Sequence, residues 1–196
     1  YLMAQITAAD VKSLRDKTGL PMMECKKALN EAGGDQEKAI ELLRKAGAKT
    51  AEKQAGRATA AGRIAVYTDP DAGVGTIVEL KCETAPVATN EEFVSLAADL
   101  AKQLAVGPGA QTPDELLAQP SPGKSGMTLK EQRDELYNRI RENFRFDRLA
   151  RLEGTCAGYV HHNGAAGVIL QYEGGPLDLA RDICMHVVAM RPGAVS

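Results

Sequence analysis

The chain has 196 residues, 44% of them hydrophobic and only 4% aromatic, and its 24 basic and 26 acidic residues leave a formal charge of −2. That length holds one ordinary domain or a small module joined to a larger one, and the apolar fraction suffices for a core. The near-even charge balance gives no global attraction to polyanions, and no 18-residue apolar run is present, so neither nucleic acid nor a membrane is the expected partner.

Tyr1-Leu2 ahead of Met3-Ala4 reads as an addition before a natural start at Met3. Residues 4–47 predict a compact module of three short helices. Thr7, three residues before Asp10, suits a capping box, and Val11 and Leu14 share a face before Thr18-Gly19 stops the run. Pro21 suits a first helical position, and Met22, Cys25 and Leu29 follow at helical spacing until Gly33-Gly34. One of Met22 and Met23 is expected in the core. Asp35 can cap a third helix whose stripe Ala39, Leu42, Leu43 and Ala46 ends at Gly47. Residues 48–61, Ala-rich with Lys49, Lys53 and Arg57, read as a linker.

The period then changes to two. Ile64, Val66 and Thr68 alternate, Asp69-Pro70-Asp71-Ala72-Gly73 is a turn by composition, and Thr76 to Leu80 suits a returning strand. After the apolar stretch Cys82-Glu83-Thr84-Ala85-Pro86-Val87-Ala88, Asn90 caps a helix whose Phe93, Leu96, Leu100 and Leu104 lie on one face. Residues 107–126, rich in Gly, Pro, Ser and Gln, read as an exposed, mobile connection. Thr128 opens a helix through Leu129, Leu136 and Ile140, and Phe144 and Phe146 return to strand alternation.

A shift of 92 residues places Gly62, Ala65, Tyr67, Gly75 and Ile77 on Gly154, Ala157, Tyr159, Gly167 and Ile169, so the chain carries two copies of one hairpin. Beyond the second strand the shift becomes 83, bringing Leu96, Ala97, Asp99, Leu100 and Leu104 onto Leu179, Ala180, Asp182, Ile183 and Val187. The first copy thus has 92 − 83 = 9 extra residues between strand and helix, where the second crosses with Gly174-Gly175-Pro176. An extra loop the fold does not require is either a partner contact or a neutral surface insertion, which loop entropy tolerates.

The run Thr18-Gly19-Leu20-Pro21-Met22-Met23-Glu24-Cys25-Lys26-Lys27-Ala28-Leu29, followed by Gly34-Asp35 and Ala39, resembles the amino-terminal signature of the elongation factor Ts family. Val78-Glu79-Leu80-Lys81-Cys82-Glu83-Thr84, Tyr159-Val160-His161 and Met185-His186-Val187-Val188-Ala189 are similar to the same family, in the expected order. The resemblance implies an α+β protein: a UBA-like three-helix module (4–47), the linker (48–61), and a core of two repeated hairpin-helix halves (62–153 and 154–192).

The resemblance further implies a guanine nucleotide exchange factor of protein biosynthesis, without covalent chemistry. It would bind elongation factor Tu in its GDP-bound and nucleotide-free states, in the cytoplasm, with no cofactor or metal of its own. Lys26 matches a family lysine that faces the partner, and His161 a histidine of the core's contact region; Met22, Met23 and Ile140 are further candidate contacts. The family's Thr-Asp-Phe-Val-Ala loop is here Thr84-Ala85-Pro86-Val87-Ala88, without the intruding carboxylate and ring. Pro86 stiffens it, so Val87 is expected to act as a smaller wedge. Family members continue into a coiled coil and a terminal segment, so the second half of the core is expected to be incomplete here. A homodimer is left open.

Other readings are weaker. Cys156 with His161-His162, and Cys184-x-His186, lack the ligand number and spacing of a zinc site. The four cysteines (Cys25, Cys82, Cys156, Cys184) form no C-x-x-C pair and sit where cysteine is a small buried hydrophobe, as in a reduced protein. No Walker-type phosphate loop occurs. An adaptor that uses the UBA-like module to hold a protein partner, without exchange activity, is the alternative function.

Overall fold

The computed structural model describes residues 6–193. The expected start at Met3 therefore lies outside the described residues. The protein is α+β and divides into two compact units, residues up to Gly56 with Asp134–Arg141, and Arg57–Arg133 with Glu142 onward.

The first unit contains α1 (Ala8–Thr18), α2 (Met22–Glu31), α3 (Gln36–Gln54) and the later turns of α7 (Leu129–Ile140). The caps form as the sequence predicts. The Asp10 amide donates to Thr7 Oγ1 at 3.2 Å while the Asp10 carboxylate accepts the Thr7 amide at 2.9 Å, and the Asp35 carboxylate accepts the amides of Glu37 and Lys38. Val11, Leu14, Leu20, Cys25, Leu29, Ala39 and Leu43 make one core.

Gly47 does not end the third helix. It sits inside α3, which runs on to Gln54 through half of the expected linker. A Cβ at 47 would land on the side-chain carboxamide of Asn138 in α7, so this glycine marks a close helix approach and not a cap. The Tyr137 hydroxyl donates to Gln54 Oε1 at 2.9 Å, and Arg44 pairs with Glu135 at 3.0 Å, which explains why helix persists there.

The second unit contains a three-stranded antiparallel sheet of β1 (Ala61–Asp69), β2 (Val74–Cys82) and β3 (Arg145–Glu153) in the order β1-β2-β3, and a hairpin of β4 (Cys156–Val160) and β5 (Gly167–Gln171). The turn between β1 and β2 is built by Asp69, whose carboxylate accepts the amides of Asp71 and Ala72. The repeat extends to the ladder itself. Every pair of the second hairpin, from Cys156↔Gln171 to Val160↔Gly167, is a pair of the first, from Ile64↔Glu79 to Thr68↔Gly75, displaced by 92.

The two hairpins pack face to face about a local two-fold axis. A Cβ at Gly75 would come within 2.6 Å of the Cys156 Cβ, and one at Gly167 within 2.7 Å of Ile64 Cγ2. Gly167 is Gly75 plus 92 and Cys156 is Ile64 plus 92, so the contact is reciprocal, like an interface between identical subunits. On the axis Val66 meets its own counterpart Gly158.

The helices obey the repeat less evenly. α5 (Glu91–Val106) covers the first sheet, with Phe93, Leu96, Leu100 and Leu104 fully buried and the Thr76 hydroxyl donating to the Ala101 carbonyl at 2.7 Å. In α8 (Leu177–Met190) only Ala180 and Cys184 are buried, and Leu179 and Ile183, counterparts of Leu96 and Leu100, are 54% and 45% exposed.

Residues 107–126, expected as an exposed, mobile connection, instead contain a short helix with buried side chains. Thr112 and Glu115 form a capping box that opens α6 (Pro113–Leu117), Leu116 and Leu117 are buried, and Pro120 bridges to Thr128. Buried Ser121 donates to Gln132 Oε1 at 2.7 Å, and Gln119 Nε2 to the Gly109 carbonyl at 2.7 Å. The short apolar helix supplies the reason, because two leucines removed from water outweigh the Gly and Pro content around them.

Candidate functional site

The extra stretch between β2 and α5 is neither extended nor loose. Residues Ala85–Ala88 form a single helical turn, α4, with Pro86 in its first turn where no amide partner is required. Ala88 is buried and Val87 half-buried, while Thr84, Ala85 and Pro86 face solvent. Val87 is thus partly used by the fold, and the exposed tip is Ala85-Pro86.

The turn is held from the chain's opposite side. The Glu142 carboxylate, just after α7, accepts the amides of Glu83 and Thr84 at 3.1 and 3.0 Å and the Thr84 hydroxyl at 2.6 Å. In return Glu83 Oε1 accepts the Asn143 amide at 2.7 Å. Thr84 stands at the N-cap of α4, yet its hydroxyl is committed to Glu142 and caps nothing. The Cys82 thiol donates to the Thr84 carbonyl, and burial, with the Glu142 charge behind it, pushes its pKa up to about 11. It is a structural thiol, not a nucleophile.

A groove of about 500 Å³ runs beside this turn, lined by Ala85, Ala88 and Thr89 on one side and Asn163, Gly164 and Ala165, the tip of the β4–β5 hairpin, on another. Its floor is Gly62, Ile64 and Lys81 of the first sheet. Ile64 donates its amide to the Gly164 carbonyl at 2.7 Å, which fixes the hairpin tip over β1. His161 stands at the base of that tip, half-buried, its amide donating to the Ala166 carbonyl and its Nδ1 3.3 Å from the Tyr159 hydroxyl. The residues expected from the core, 84–88 and His161, therefore lie on the two elements that flank one groove.

In the helical unit, Met22, Met23 and Lys26 project from α2 into solvent. Both methionines are exposed, Met23 to 74%, so the expectation that one belongs to the core is not met; Cys25, Ala28 and Leu29 fill the buried face instead. Ile140 is half-buried in the last turn of α7. Arg141, next along the chain, ends that helix in a left-handed conformation (φ 63) and pairs with Glu24 of α2 at 2.5 Å. Glu142, Asn143 and Arg141 carry no sequence signal of their own; only the fold reveals what they hold.

Among the described residues no group of three or more His, Cys, Asp or Glu could hold a metal ion, and no helix is long and apolar enough to cross a membrane.

Residues 83–196 match the elongation factor TS family. The chain is 44% identical over 190 residues to elongation factor Ts of Methylococcus capsulatus, covering 95% of this chain and 64% of that protein. It is 44% identical over 193 residues to elongation factor Ts of Thioalkalivibrio sulfidiphilus, covering 97% and 64%. Against elongation factor Ts of Clostridium kluyveri it is 40% identical over 195 residues, covering 95% and 63%. The chain thus spans just under two thirds of the length of these relatives. With the matched region taking in the 84–88 turn, His161 and both strands of the second hairpin, the chain belongs to the elongation factor Ts family.

Proposed function

We propose that the chain acts in translation elongation as a guanine nucleotide exchange factor, binding elongation factor Tu and promoting release of its GDP. Family membership carries this reading. The structure supports it with two surfaces suited to gripping a protein, the exposed Met22-Met23-Lys26 face of α2 and the groove between the 84–88 turn and the hairpin tip. Met side chains adapt to a partner's contours, and Lys26 adds a charge that orients docking.

The chemistry is non-covalent. The factor and GDP bind the same partner with opposing preferences, so each tenfold loss of GDP affinity in the complex is a tenfold loss of factor affinity for the GDP-bound form, about 1.4 kcal/mol. With Ala85-Pro86 at the tip, no carboxylate or ring enters the partner there, and overall docking through α2 and the groove carries more of the exchange.

The adaptor reading uses the same exposed methionines but leaves the duplicated core without a role. Titrating the chain into elongation factor Tu separates the two. Exchange requires tighter binding to the nucleotide-free than to the GDP-bound form, weakened in both by Lys26→Glu; equal affinity for the two forms favours the adaptor.

A further inference from the structure

Glu142 accepts three hydrogen bonds from a segment 58 or 59 residues away in sequence, all from the two residues that lead into the exposed α4 turn. Among the described residues the turn's remaining hydrogen bonds are local: the amides of Ala88, Thr89 and Asn90 donate back to the carbonyls of Thr84, Pro86 and Val87, and the Cys82 thiol donates to the Thr84 carbonyl. The second half of the repeat makes the same strand-to-helix crossing with Gly174-Gly175-Pro176, so the hairpin-helix unit does not require the longer turn that Glu142 holds. A charged acceptor saturated by two amides and a hydroxyl is a strong, directional clamp, and here it is spent on positioning a solvent-facing turn.

We propose that Glu142 is a positioning residue for exchange: it holds the 84–88 turn in the pose that meets elongation factor Tu. The inference rests on the reading of that turn as a partner contact. Without the carboxylate the turn samples several poses, and only a fraction of molecules is competent to dock. The apparent affinity falls by that fraction while the docked complex is unchanged. Exchange therefore loses ground at low factor concentration and recovers at saturation, and coupling to a substitution in the turn itself separates this from the loss of an independent contact.

The test is fluorescent GDP release from elongation factor Tu, titrated with the full chain and its Glu142→Ala, Thr84→Val, Ala85→Arg and Glu142→Ala/Ala85→Arg variants. Glu142→Ala is expected to raise the half-maximal concentration about tenfold, with the saturating rate within about twofold of the parent. Thr84→Val, which removes only the hydroxyl donor, should move it in the same direction by less, and it carries the test if Glu142→Ala does not fold. Ala85→Arg, at an exposed position, should impair exchange through the contact itself, and less so in the Glu142→Ala background, where the turn can swing aside. Unchanged half-maximal concentrations, or penalties that simply add, overturn the proposal. If Ala85→Arg alone leaves exchange intact, the turn is no contact, and the contact reading falls together with the proposal.

Discussion

Val66 of β1 and Gly158 of β4 occupy the same position in the two copies of the repeat, and they touch across the local two-fold axis. A side chain on one copy fills the space that its counterpart leaves empty. Two valines could not both fit, so the duplicated sequence must differ at this point. Gly158→Ala is expected to destabilise the protein by about 1–3 kcal/mol through overpacking. Adding Val66→Ala should restore part of the loss, because the two side chains share one volume. Urea unfolding of the two variants checks both statements.

The repeat also predicts where equal residues have unequal weight. Leu96 on the inner face of α5 is fully buried, whereas its counterpart Leu179 on α8 is more than half exposed. Leu96→Ala should cost about 3 kcal/mol, and Leu179→Ala less than about 1 kcal/mol. Thermal or denaturant unfolding of the pair measures the difference directly.

Glu79 and Arg148 face each other across β2 and β3 with Nε 2.6 Å from Oε2. The hydrogen bond from Arg148, aided by its charge and that of Lys81, holds the Glu79 carboxyl below the usual carboxylate range. Its folded-state pKa lies under the unfolded value, so the stabilisation is complete above the carboxylate range and disappears as pH falls through it. Unfolding measured from pH 7 to pH 3 should show a shallower decline for Glu79→Gln than for the parent.

Replacing Ala85-Pro86 by Asp-Phe restores the residues that the family's loop carries at the exposed tip. Release of GDP from elongation factor Tu by this double variant should differ from that by the parent. An identical rate would argue that the tip plays no part in exchange.

Much of this was legible in the residues. The caps at Thr7, Asp35 and Asn90 and the 92-residue repeat are local or periodic patterns, and the structure carries them to the hydrogen bond. What escaped is long-range. Gly47 reads as a helix end because a lone glycine after a stripe commonly is one; here it makes room for Asn138, 91 positions on. Leu116 and Leu117 were hidden by the glycines and prolines around them. Met22 and Met23 cannot be assigned inward or outward from apolar character alone, since Cys25 and Leu29 already complete the inner face. Glu142 is one acidic residue among 26 until the fold sets it against Thr84.

The most direct test of the central claim is the rate of fluorescent GDP release from elongation factor Tu at fixed Mg²⁺, measured over increasing concentrations of the chain. Exchange-factor activity predicts a rate that climbs with concentration and saturates. A rate that stays at the spontaneous value while a complex demonstrably forms would contradict it.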